Sequence, residues 1–108
     1  MGTLNNPDIP AENHLRGISQ AKGVVYTVGQ LESGEEGTEH IQYYINLDKP
    51  QALSYMKKLC PRTHWELARS DAASRKYVMK EDTRVAGPWE FGVRPLSNNN
   101  KADVEDKR

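Results

Sequence analysis

Along His40–Leu47, apolar and polar residues alternate without a break. Ile41, Tyr43, Ile45 and Leu47 fall on one side of an extended backbone, and His40, Gln42, Tyr44 and Asn46 on the other. A strict period of two is the pattern of a strand with one face against a core. Val24–Glu32, rich in β-branched residues, predicts a second strand, and Ser33–Thr38, with Gly34 and Gly37, predicts the hairpin loop that joins the two. Upstream, Gly2–Asn5 predicts a short edge strand entering an Asn-Asn-Pro-Asp turn. Pro10–Lys22 predicts a helix with Leu15 and Ile18 inward and Gly23 as its stop.

Downstream, Pro50–Cys60 sets Leu53, Met56, Leu59 and Cys60 in a helical stripe that Pro61 ends. Thr63–Ala68 predicts a strand with Trp65 and Leu67 inward and His64 and Glu66 opposite. Ser70–Glu81 predicts a third helix capped by Ser70 or Asp71, and Pro88–Val93 a last short strand. The order βαββαβ, followed by a helix and an edge strand, predicts an α+β fold: a central antiparallel sheet of the split βαβ, ferredoxin-like kind, with helices on one face and a polar face open to a ligand.

Composition narrows the class. With 108 residues, 36% hydrophobic and 28% charged, the chain builds one modest core. Residues 1–94 hold that domain. From Pro95 to Arg108 only Leu96, Ala102 and Val104 are apolar, so this segment predicts a disordered tail or the start of a linker. No apolar run approaches the ~20 residues that cross a bilayer, and no apolar leader opens the chain, so no membrane partner is expected. Cys60 is the one cysteine, which excludes an intramolecular disulfide and a Cys-rich zinc site and suits a reducing compartment.

A net charge of zero conceals two blocks. Val24–Asp48 carries five acids and no Lys or Arg; Lys49–Lys80 carries eight bases against two acids. An acidic block can attract a cation and a basic one a polyanion, although both also suit plain solvated surface.

If Glu32 pairs with His40 across the hairpin, Gln30 faces Gln42 and Val28 faces Tyr44. Glu32, His40 and Gln42 then share one sheet face. A carboxylate oxygen, an imidazole nitrogen and an amide oxygen suit Mn²⁺ or Mg²⁺ better than zinc. The spacing alone equally permits a solvent-facing His-x-Gln with no ligand. Tyr77 and Lys80, three apart, share a helix face. A phenol ionises near pH ~10, a neighbouring ammonium favours the phenolate, and a metal on a phosphate lowers the barrier to attack, so the set suits nucleophilic attack on a phosphodiester. An exposed aromatic beside a solvated lysine fits the same spacing.

Three segments carry a family resemblance: Thr3-Leu4-Asn5-Asn6-Pro7; His40-Ile41-Gln42 with Glu32 eight residues earlier; and Tyr77-Val78-Met79-Lys80, continued by Glu81-Asp82-Thr83-Arg84 and Gly87-Pro88-Trp89-Glu90-Phe91-Gly92. In this order they resemble the N-terminal HUH endonuclease domain of replication initiator proteins of circular single-stranded DNA viruses, nearest the nanovirus and circovirus branch. The resemblance implies that Tyr77 is the nucleophile of a site-specific single-stranded DNA nickase and joining enzyme acting through a 5′-phosphotyrosine. Glu32, His40 and Gln42 would hold Mn²⁺ or Mg²⁺, and Lys80 would assist at the phosphate. Thr3, Leu4, Asn5 and Asn6 would serve DNA recognition, with Tyr44, His64, Arg75 and Lys76 as further DNA contacts. The implied fold sets a tyrosine-bearing helix by the metal site, the implied partner is an origin stem–loop and the implied location the host nucleus.

Two features depart from the family pattern. Gln42 stands where the superfamily has its second histidine, and the first segment lacks a leading aromatic residue. No Gly-x-x-x-x-Gly-Lys-Ser/Thr segment occurs in the chain. The helicase domain through which full-length members would oligomerise is thus not part of it, and the domain alone is expected to be monomeric. The alternative is a non-catalytic single-stranded nucleic-acid-binding module of the RNA-recognition fold, with Tyr44 stacking on bases.

Overall fold

The computed structural model describes residues 1–68 and 70–94. Its elements are β1 (Gly2–Asn5), α1 (Ala11–Ser19), β2 (Val24–Ser33), β3 (Glu39–Leu47), α2 (Leu53–Leu59), β4 (His64–Trp65), α3 (Asp71–Tyr77) and β5 (Arg84–Gly92). The five strands form one antiparallel sheet in the order β4-β1-β3-β2-β5, so the fold is α+β as expected. The expected tail at 95–108 lies outside the described residues. Among the described residues no helix is long and apolar enough to cross a membrane.

Period two assigns the two sheet faces separate roles. The face with Leu4, Ile41, Tyr43, Ile45 and Trp65 packs under Ala11, Leu15 and Ile18 of α1 and Met56 of α2, and this is the main core. Gly29 belongs to it by necessity. A Cβ there would collide with that of Tyr43 and come within 2.8 Å of the Gln42 carbonyl oxygen, so only hydrogen lets β2 and β3 approach as they do.

The opposite face departs from the expectation that it stands open. Here α3 lies across the sheet, and Tyr26, Val28, Tyr44 and Val78 form a second, smaller apolar cluster with Met1 and Met79 against it. The helices therefore divide, with α1 and α2 on the core face and α3 on the other.

Element ends shift as well. The second helix begins at Leu53 rather than Pro50, because Ala52 is still extended as its N-cap. The fourth strand contracts to His64–Trp65, the length over which it can pair with Gly2 and Thr3. The third helix stops at Tyr77 because Val78 turns into the sheet. The last strand starts at Arg84 instead of Pro88. Gly87-Pro88, which reads as a break, is accommodated by register shifts opposite Gly29, Leu31 and Glu32.

Candidate metal and nucleophile site

The expected hairpin register forms: Glu32 opposite His40, Gln30 opposite Gln42 and Val28 opposite Tyr44. Glu32 is the centre of what converges. Its side chain is 2% exposed. Lys80 donates from Nζ to both carboxylate oxygens at 3.0 Å, Gln30 donates from Nε2 to Oε2 at 2.7 Å, and His40 Nε2 lies 3.1 Å from Oε1. Burial pushes the Glu32 carboxyl upward. The hydrogen bond from Gln30, together with those from Lys80 and His40 and the Lys80 charge, outweighs burial and holds it below its ordinary value. Since a carboxylate only accepts, the His40 hydrogen sits on Nε2 in this arrangement.

Gln42 is pinned by β1. Its amide oxygen accepts from the Thr3 hydroxyl at 3.0 Å, and its Nε2 donates to the Gly2 carbonyl at 3.3 Å. The pairing of Thr3 with Gln42 across β1 and β3 makes this contact possible.

The nucleophile candidate arrives on α3. Ser70 caps the helix, its hydroxyl accepting from the Ala73 amide at 3.2 Å. At the other end Tyr77 is 47% exposed, and Lys80 Nζ lies 4.1 Å from the centroid of its ring. One ammonium thus touches both the Tyr77 ring and the Glu32 carboxylate.

Two residues not anticipated as site members hold this geometry. Gln30, fully buried, donates to the Lys80 carbonyl at 2.7 Å as well as to Glu32, and its oxygen accepts from Arg84 Nε at 2.9 Å. Arg84 also grips the Met79 carbonyl at 2.6 Å. The signal for Gln30 was its place on the Glu32 face, two residues back along the strand. Arg84 stands within the third resemblance segment, but nothing in that segment marks its bond to Gln30, which the pairing of β5 with β2 sets.

The other expected contacts scatter. Leu4 lies in the core, 4% exposed, so its side chain faces α1 and not a ligand. Tyr44 is 5% exposed beneath α3, its hydroxyl bonded to Asp71 and approached by Asn46 Nδ2, so it offers no stacking surface. Asn5 is exposed beside His40. Asn6 takes φ 51° at the turn, where Arg62 bonds the carbonyls of both Asn5 and Asn6. His64 is exposed at the sheet edge, 3.9 Å from Glu66. Arg75 and Lys76 form the last turn of α3, whereas Lys57 and Lys58 end α2 across the sheet, so the basic block is divided between the faces.

The donor set fits a hard divalent ion in kind: one buried carboxylate held anionic, one imidazole and one amide oxygen. Among the described residues no group of three or more His, Cys, Asp or Glu side chains gathers, so Gln42 and water would have to complete the shell. The ion would replace the Lys80 ammonium and the His40 proton at Glu32. A neighbouring cavity of about 380 Å³, lined by Asn5, Gly34, Glu35, Glu36, Thr38 and His40, opens this corner to solvent.

Residues 1–81 match the model of the viral replication protein family. The chain is 46% identical over 91 residues to the master replication protein of Subterranean clover stunt virus, covering 83% of this chain and 29% of that protein. It is 39% identical over 107 residues to the master replication protein of Banana bunchy top virus, covering 96% and 35%. It is 41% identical over 80 residues to the replication-associated protein of Beak and feather disease virus, covering 73% and 27%. The chain spans about a third or less of the length of these relatives.

Proposed function

Because this chain belongs to the viral replication protein family, we propose that it is a metal-dependent, tyrosine-nucleophile domain that nicks and rejoins single-stranded DNA at an origin stem–loop in the host nucleus. One observation carries the reading: the Lys80 ammonium sits between the Tyr77 ring, 4.1 Å away, and the buried Glu32 carboxylate, 3.0 Å away. The ammonium over the ring sets an exposed phenol beside the carboxylate that would hold the metal, where its oxygen can attack a phosphodiester.

The Tyr77 oxygen would attack phosphorus, forming a P–O bond while the bond to the 3′ oxygen breaks. The phenol proton would pass to solvent, the 3′ oxygen would take one up from solvent and leave as a hydroxyl able to prime synthesis, and the 5′ phosphate would stay on Tyr77. Reverse attack by a 3′ hydroxyl rejoins the strand. Mn²⁺ or Mg²⁺ held by Glu32, His40 and Gln42 would polarise the scissile phosphate. Lys80 would neutralise charge on the phenolate side, and Asn5 and Asn6, exposed beside His40, would meet the DNA backbone or bases.

The test is a denaturing gel of protein with labelled stem–loop oligonucleotides, with Mn²⁺ or chelator, beside Tyr77→Phe and His40→Ala. A slow protein–DNA band that needs metal, Tyr77 and His40 is expected. A band that survives in Tyr77→Phe, or no band with any member of a randomised single-stranded pool, refutes the reading.

A further inference from the structure

We infer that Lys80 is the resident counter-ion of the site, that an arriving divalent cation displaces its ammonium from Glu32, and that the displaced ammonium keeps the Tyr77 ring as its remaining contact. The inference rests on the proposed function and adds to it a positioning role for Lys80 that precedes DNA.

The Glu32 side chain is 2% exposed and faces an ammonium, and a buried carboxylate with no partner is strongly unfavourable. Lys80 meets that need with two bonds of 3.0 Å. These are the oxygens a metal would take. An ammonium and a divalent ion cannot share them, because repulsion at such range is strong wherever water is scarce.

The backbone of Lys80 cannot yield. Its carbonyl is held by Gln30 at 2.7 Å and that of Met79 by Arg84 at 2.6 Å. The side chain can, being 26% exposed. The Tyr77 ring already lies 4.1 Å from Nζ, so the ammonium keeps this contact when it leaves Glu32. The same contacts explain why the pocket tolerates a buried carboxylate before metal arrives.

The test measures Mn²⁺ affinity without DNA, by electron paramagnetic resonance of the free ion, for the wild type, Lys80→Met and Lys80→Arg. If Lys80 competes with the metal, Lys80→Met binds Mn²⁺ about tenfold tighter or more. Its melting temperature also rises more on Mn²⁺ addition than that of the wild type. Lys80→Arg, whose planar fork grips a carboxylate at two points, binds several-fold more weakly than the wild type. Equal or weaker binding by Lys80→Met overturns the inference, since a lysine that helps to hold the metal gives that result. Should Lys80→Met not fold even with Mn²⁺, the arginine variant decides: weaker binding supports the inference, and equal or tighter binding overturns it. Absence of Mn²⁺ binding in every variant overturns both this inference and the metal half of the proposed function, whereas measurable binding of unchanged affinity overturns the inference alone.

Discussion

Replacing Gln30 by Met keeps its length and removes both its donor and its acceptor. Three hydrogen bonds disappear: to Glu32 at 2.7 Å, to the Lys80 carbonyl at 2.7 Å and from Arg84 at 2.9 Å. Two involve a charged partner, worth about 1.5–3 kcal/mol each, and the third about 1 kcal/mol. The groups left behind are not all orphaned. Glu32 retains Lys80 and His40, and Arg84 retains the Met79 carbonyl. The three bonds together come to about 4–7 kcal/mol, and the partners that remain reduce the loss to about 3–5 kcal/mol, a large part of the ~5–15 kcal/mol available to a domain. With a urea slope of ~1–3 kcal/mol/M, the unfolding midpoint should fall by roughly 2 M, read by circular dichroism. A fall below about 0.5 M would mean that water replaces Gln30 at little cost, and the claim that Gln30 fixes the Met79–Lys80 turn would be wrong.

Gly29→Ala should destabilise by about 1–3 kcal/mol, because the new methyl group meets Tyr43 and the Gln42 carbonyl between two paired strands; calorimetry should show the melting temperature lowered by roughly 4–8 °C per kcal/mol. Stability should also depend on acid through Glu32. Its folded carboxyl lies below its ordinary value, so its contribution is complete above the unfolded value of about 4.3 and is lost as pH falls through the folded one. Urea midpoints between pH 6 and 3 should therefore drop less steeply for Glu32→Gln than for the wild type. DNA binding by the Tyr77→Phe variant, measured by fluorescence anisotropy, should match the wild type, since only one oxygen of a half-exposed ring is lost, and it should weaken as salt rises.

The hairpin and its register were readable because a one-residue slip would send Ile41, Tyr43 and Ile45 to the wrong side of the sheet. The same alternation put Glu32, His40 and Gln42 on one face, whereas Tyr77 and Lys80 do not share a helix face as their spacing suggests, because α3 ends at Tyr77 and Lys80 meets its ring from the turn that follows. What alternation does not encode is what covers a face. Tyr44 occupies the expected side of β3, yet α3 crosses there and turns an apparent stacking surface into the seat of a helix. Gln30 illustrates another limit. A neutral amide within a strand carries no mark of function until its three partners, from β2, β5 and the turn after α3, are known. The start of β5 was hidden for a local reason, since Gly87-Pro88 within a strand is unusual unless the ladder bulges around it, as it does here.

A helix of seven residues is too short to be stable alone, and α3 is moored at both ends. Asp71 is tied to Tyr44 and Asn46, and Val78 is sunk in the sheet with the two following carbonyls gripped by Gln30 and Arg84. The outer surface of the helix, with Ala72, Ala73 and Lys76 exposed, takes no part in that mooring. Fastening and outward display are thus separable here. An engineer has a row of positions that can be rewritten while Tyr77 stays where its anchors put it.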